Sequence, residues 1–163
     1  MTEQENLTAG APAGDQAPPL LQARRLSKNF GSKAALHDVD IELPRGRIVG
    51  LLGPNGSGKT TLLKLACGLI TPSAGELRIN GMQPCVATKN AVAYLPDKCY
   101  LNDWMRVQDL IQMFGDFYTD FDAARARQLV QDLQISERAR LKTLSKGNQE
   151  KIQLILVMCR RAE

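Results

Sequence analysis

Eight residues, Gly53-Pro54-Asn55-Gly56-Ser57-Gly58-Lys59-Thr60, carry the plainest chemistry in this sequence. Their spacing is G-x-x-x-x-G-K-[ST], the pattern of a loop that cradles phosphate. Glycines at 53, 56 and 58 let the backbone curl until successive N–H groups face one anion. Lys59 would neutralise β- and γ-phosphates, the Thr60 hydroxyl would hold Mg²⁺, and Thr61 could donate to an α-phosphate oxygen. The pattern predicts a nucleoside triphosphate as ligand and leaves the reaction open.

Such a loop needs a strand before it and a helix after it. Residues 46–52 are a short apolar run that predicts a buried strand. Thr61 to Gly68 predicts a helix stopping near a glycine, and its N-terminus adds partial positive charge to the anion site. Upstream, Leu21 to Phe30 suits a strand followed by a turn at Gly31-Ser32. Val39 to Leu43 alternates apolar and acidic residues, as a half-buried strand does. Downstream, Thr71 to Gly75 reads as a turn and Glu76 to Gly81 as a short strand with a glycine stop. Ala91 to Leu95 predicts one more buried strand, ending at Pro96.

After Pro96 the period becomes helical. Leu110, Ile111 and Phe114 predict a helix from Val107 to about Tyr118. Asp122 is the expected N-cap of a second helix reaching Leu133, with Leu129, Val130 and Leu133 on one face. A third runs from Ser145 to about Arg160. Its second half, Ile152 to Cys159, is apolar almost all round and is predicted to be buried.

Composition narrows the class. The chain has 163 residues, one domain of ordinary size, and 44% are hydrophobic, which excludes wholesale disorder. The formal charge of +4 is spread without a block of like charges, so no nucleic-acid arm is predicted. Cysteines 67, 85, 99 and 159 show neither C-x-x-C nor zinc spacing and read as small buried apolar residues in a reducing compartment. His37, the single histidine, reads as a solvated surface residue on the polar side of its strand. No apolar run approaches the roughly eighteen residues of a membrane span. Residues 1–19, rich in Ala, Pro, Gly and Gln, read as a flexible tail without a signal core.

A second constellation, Leu144-Ser145-Lys146-Gly147-Asn148-Gln149, opens the last helix. Ser145 and Gly147 at a helix N-terminus could form another anion site; they could equally be an ordinary helix cap. The order of parts does more than either motif alone. Phosphate loop, strand-like segments, helical insert, then L-S-x-G opening a helix resembles the ATP-binding cassette (ABC) transporter nucleotide-binding domain, over roughly Leu21 to Cys159.

The resemblance implies an α/β P-loop NTPase fold, with an antiparallel N-terminal β portion and a helical insert. It divides the chain into a nucleotide-binding core at 20–97 and an insert with the signature motif at 98–163. It implies ATP and Mg²⁺ as cofactors. Its partners would be a membrane-spanning transporter subunit and a second nucleotide-binding subunit, identical or paralogous. The location would be cytoplasmic, at the inner face of the membrane through that partner.

Residue by residue, the resemblance casts Phe30 as the aromatic that stacks on adenine, with a core role as the alternative. It casts Gly53, Pro54, Asn55, Gly56, Ser57, Gly58, Lys59, Thr60 and Thr61 as the triphosphate cradle. Ser145 and Gly147 would close over the γ-phosphate held by another subunit. Asp97 stands where the family has a glutamine touching Mg²⁺ and the attacking water; a carboxylate accepts there but cannot donate. Lys59 and Asp97 would thus contribute to catalysis, and Thr60 and Asp97 to the metal. Lys146 replaces a glycine and Asn148 a glutamine of the family signature. Residues 98–105, with Tyr100, Leu101, Trp104 and Met105, lie where the family docks its membrane subunit; ordinary packing of the insert is the alternative.

In the family an apolar Walker B strand ending in an aspartate and a glutamate follows the signature helix, then a loop and a switch histidine. This sequence stops at Arg160-Arg161-Ala162-Glu163. The expectation is a C-terminally truncated domain, the first two-thirds of the family's, without a complete catalytic set. The rival readings are a soluble, non-transport cassette protein and a non-catalytic remnant. A GTPase would want an N-K-x-D motif, which is absent, and a small-molecule kinase leaves 144–149 unexplained.

Overall fold

The computed structural model describes residues 18–162. The expected tail therefore lies outside the described residues, except Pro18 and Pro19, and so does Glu163. Three strands, β1 (Leu21–Phe30), β2 (Lys33–Leu43) and β3 (Ala74–Ile79), form one antiparallel sheet in the order β2-β1-β3. The turn at Gly31-Ser32 joins β1 to β2, and Leu21 sits opposite both Leu43 and Ile79. The alternation predicted for β2 holds: Val39, Ile41 and Leu43 are half-buried while Asp38, Asp40 and Glu42 face solvent.

Helix α1 (Lys59–Ala66) packs Leu62 and Leu65 against Leu21, Ala23, Leu26, Leu77 and Ile79 of the sheet. Each such side chain contributes roughly 1.5–3 kcal/mol by leaving water. The helix ends two residues earlier than expected. There the Gly68 N–H donates to Leu65 and the Leu69 N–H to Lys64, which satisfies its last carbonyls.

Where β1 bulges at Arg25, which has φ of 46°, β3 begins against it at Ala74–Gly75. Gly75 has φ of 77°, and any Cβ there would overlap the Arg25 carbonyl. Only glycine both adopts that conformation freely and leaves the space.

A second cluster is helical. Helix α2 (Val107–Phe117) contributes Val107, Leu110, Ile111 and Phe114. Helix α3 (Ala123–Asp132) contributes Ala126 and Val130. Helix α4 (Lys146–Met158) contributes Ile152, Ile155 and Leu156. Asp122 caps α3 as predicted, accepting from the Arg125 N–H at 2.9 Å.

Several expectations are corrected. Residues 46–52 form no strand, and Ile48, Val49, Leu51 and Leu52 are exposed, Ile48 and Leu52 almost wholly. Ala91 to Leu95 forms none either; its residues are half-buried, with Leu95 exposed, after a single 3₁₀ turn at Ala87–Asn90. A strand exists only when a neighbour takes its N–H and C=O groups. Among the described residues no strand lies beside either run, so apolar content alone does not make a ladder. The strand at 76–81 starts instead at Ala74 and ends at Ile79.

On α4, Leu154 and Met158 face solvent, so one side of that helix is buried rather than the whole. Leu133 caps α3 and is exposed rather than sharing the face of Val130. All four cysteines are free; Cys159 is buried, whereas Cys85 and Cys99 are exposed rather than apolar core residues. His37 is exposed, as expected.

Candidate phosphate-binding site

The loop between β2 and α1 has the glycine turns and the following helix that the spacing predicts, without the strand expected before it. Gly56 and Gly58 take φ of 85° and 90°, and a Cβ on Gly58 would overlap the Ala35 carbonyl and the Leu36 side chain. The turn closes through the Ser57 N–H, which donates to the Pro54 carbonyl at 3.2 Å. Helix α1 starts at Lys59 itself, so its unpaired N–H groups face the loop.

The Lys59 ammonium curls back over the loop. Its Nζ donates to the carbonyls of Gly53 and Pro54, both at 2.8 Å, and lies 3.4 Å from Ser57 Oγ. Three acceptors thus hold the cation over the concave face, where a phosphate oxygen can replace them. Thr60 follows on the exposed side of the first turn and Thr61 is half-buried. A Thr hydroxyl and the exposed Asp97 carboxylate are hard oxygen donors, the kind that suits Mg²⁺ when phosphate and water complete its shell. Among the described residues no group of three His, Cys, Asp or Glu side chains could hold a metal alone.

Phe30 closes β1 with its ring 52% exposed, which removes the core alternative. The Lys28 ammonium lies 5.2 Å from the ring centroid and is held by the Thr71 carbonyl at 2.8 Å. One face of the ring is thus occupied by a cation and the rest is open for stacking. If Phe30 stacks on adenine, Phe30→Ala should weaken ATP binding by roughly 1–3 kcal/mol, the range for base–aromatic stacking, while barely moving the urea midpoint. Unchanged nucleotide affinity in the folded variant would remove Phe30 from the site.

Ser145 is the N-cap of α4, accepting from the Asn148 N–H at 3.3 Å. A hydroxyl that accepts one bond still has its proton to donate, so the cap and an anion are compatible. Gly147 is exposed, with nothing within 4 Å of the Cβ it lacks. Lys146 extends into solvent and stands 3.9 Å from Glu150 in a weak i,i+4 pair. Among the described residues no hydrogen bond joins Ser145 or Gly147 to the phosphate loop.

The stretch 98–105 divides. Leu101 and Met105 pack on the helical cluster, whereas Tyr100 and Trp104 are exposed. A cleft of about 400 Å³ opens beside Tyr100, which walls it together with Leu69, Val92, Tyr94, Tyr118 and Arg160. Burial raises the Tyr100 pKa, with nearby Tyr118 a smaller cause.

Three polar side chains, Gln149 half-buried and those of Gln153 and Arg160 nearly enclosed, went unread in the sequence. Gln149 braces the 3₁₀ turn at Leu141–Thr143 by donating to the carbonyls of Leu141 and Leu144. Gln153 donates to the Pro96 carbonyl. Arg160 pairs with Asp120, lies 4.0 Å over the Tyr118 ring, and donates to the carbonyls of Lys89 and Val92. A lone amide within the apolar run after Lys151 was the available signal for Gln153. Nothing in the sequence marks a partner for Arg160 forty residues away.

Comparison with known proteins adds to this geometry. The family model described as ABC transporter matches residues 36–163. An uncharacterized ABC transporter ATP-binding protein of Methanocaldococcus jannaschii is 34% identical over 143 residues, covering 85% of this chain and 51% of that protein. The ABC transporter ATP-binding protein YtrB of Bacillus subtilis is 31% identical over 146 residues, covering 87% and 49%. A solved ATP-binding subunit of an ABC transporter superposes with a TM-score of 0.75 at 25% identity, covering 86% of this chain and 62% of that one. The chain spans about half the length of these curated relatives.

Proposed function

The chain belongs to the ABC transporter family, and from that premise we propose that it is the ATP-binding part of a transporter, holding Mg–ATP at residues 53–61. The observation that carries this reading is the Lys59 ammonium poised over Gly53 and Pro54 at the N-terminus of α1. Lys59 exchanges those carbonyls for β- and γ-phosphate oxygens. Backbone N–H groups of the loop hold the anion, and the Thr61 hydroxyl donates to the α-phosphate. Thr60 and Asp97 are the residues that would hold Mg²⁺, which supplies charge neutralisation for the phosphates when bound. Phe30 stacks on the base.

Lys59→Ala should weaken Mg–ATP binding by about 1.5–3 kcal/mol, the range for hydrogen bonds to charged groups. Calorimetric titration of the chain and the variant tests this; equal affinities would refute the site.

The same reading assigns residues 20–97 to a nucleotide-binding core and 98–163 to an insert. The membrane-spanning partner docks at the exposed Tyr100 and Trp104 and the cleft that Tyr100 lines, and the assembly sits at the inner face of the membrane. Among the described residues no helix is long and apolar enough to cross a membrane. Ser145 and Gly147, not hydrogen-bonded to their own loop, serve the loop of a second nucleotide-binding chain. ATP-promoted pairing is therefore expected from a longer, hydrolysis-deficient protein that includes this region. Sedimentation showing only monomer at saturating Mg–ATP would defeat the assignment of Ser145.

A further inference from the structure

We propose that Gln153 is a positioning residue that fastens the segment bearing Asp97 to the helix bearing Ser145 and Gly147. The inference rests on the reading of Asp97 and Ser145 as nucleotide-facing groups.

The buried face of α4 is apolar except for one amide. Gln153 is 4% exposed, among Ile152, Ile155 and Leu156. Packing alone would be served better by an apolar side chain, because a buried amide must find partners for two N–H groups and an oxygen. Gln153 finds one: its Nε2 donates to the Pro96 carbonyl at 2.9 Å, across 57 residues of sequence. Its Oε1 has no partner among the described residues. A half-satisfied amide in a core costs stability, and the bond it does make is the return.

That bond falls at a telling place. Residues 91–97 belong to no strand, so no ladder supplies donors to their carbonyls. Helix α4 and its C-terminal end supply them instead, Gln153 to Pro96 and Arg160 to Val92 at 3.3 Å. The segment hangs from α4 at Pro96 and from Arg160, just past the helix's C-cap, at Val92. The Pro96 carbonyl and the Asp97 N–H share one planar peptide unit, so holding the first orients the second. Ser145 caps the same helix about two turns upstream of Gln153. A shift of Asp97 toward bound phosphate is thereby carried to Ser145 through one hydrogen bond and a short rigid helix.

Hydrogen–deuterium exchange of the chain, with and without millimolar Mg–ATPγS, tests the link. Nucleotide should slow exchange across residues 53–61 in both wild type and Q153M. It should also slow exchange at 145–150 by about fivefold or more in wild type, the lower end of coupling between sites, and leave that region unchanged in Q153M. Two results would overturn the inference: loop protection in wild type with no change at 145–150, or a Q153M that keeps the wild-type response. Absence of protection at 53–61 in wild type would overturn the phosphate-loop reading itself and the inference with it. Should Q153M lose its helical circular dichroism, Q153A carries the same comparison.

Discussion

Residues 1–163 are expected to release no phosphate from Mg–ATP above background, while a longer protein that continues through the family's Asp-Glu strand and switch histidine turns over. Phosphoryl transfer requires a positioned water and charge stabilisation at the γ-phosphoryl group. This chain supplies the loop, Lys59 and Thr60. The carboxylates it offers as candidate bases are Asp97 and Glu150. Both are exposed, and Glu150 is turned toward Lys146. Neither is held against a water-binding partner. A general base alone is worth about 10²–10⁴-fold, so unless one of these carboxylates takes that role, turnover by residues 1–163 should fall below detection. A phosphate-release assay on both chains checks this, with Lys59→Ala in the longer one as the control that must lose all activity. Lys59-dependent turnover by residues 1–163 would refute the expectation and direct attention to Asp97 and Glu150 as bases.

Arg160→Ala should destabilise the fold by about 3 kcal/mol, the low end for breaking a buried ion pair, because Asp120 keeps some exposure. The Arg160 side chain is 6% exposed, and its guanidinium engages both Asp120 oxygens at 3.2 Å or less, as well as three backbone carbonyls at 89, 90 and 92. Removing it leaves a carboxylate without its cation and those carbonyls without donors. Arg160→Lys keeps the charge but loses the planar fork, and should recover less than half of the loss. Urea denaturation followed by circular dichroism measures both variants. A loss under about 1 kcal/mol for Arg160→Ala would mean that the pair behaves like an exposed one.

What could be read from the sequence was what local chemistry determines. The phosphate loop, the β1–β2 hairpin, the Asp122 cap and the start of α2 at Val107 all depend on residues within a turn or two of each other. Asp109, for example, accepts the Arg106 N–H at 3.2 Å and fixes the first turn of α2. Ser145 as a cap was legible for the same reason.

The misreadings share a different cause. Residues 46–52 and 91–95 have strand composition, but pairing depends on a neighbour that no local pattern specifies. The burial of α4 was overread because an apolar side chain cannot declare what covers it. Arg160 was legible only as a charge, since Asp120, Tyr118 and the carbonyls it joins are set by packing. Of the candidate site, the glycine turn at 53–58 and the helix that follows it were legible, whereas the strand expected before them was not.

The close approach of Gly75 to the Arg25 carbonyl bears on how this sequence can drift. Most single-base changes in a glycine codon install a side chain, and every one of them meets backbone that cannot step aside. In a saturation library, position 75 should be close to an empty column. Gly31 and Gly46 differ: they share a left-handed φ but face open space, so Asn or Asp should survive there. Sequences descended from this one can lengthen or recolour those two turns, whereas the junction of β1 and β3 is confined to a single residue type.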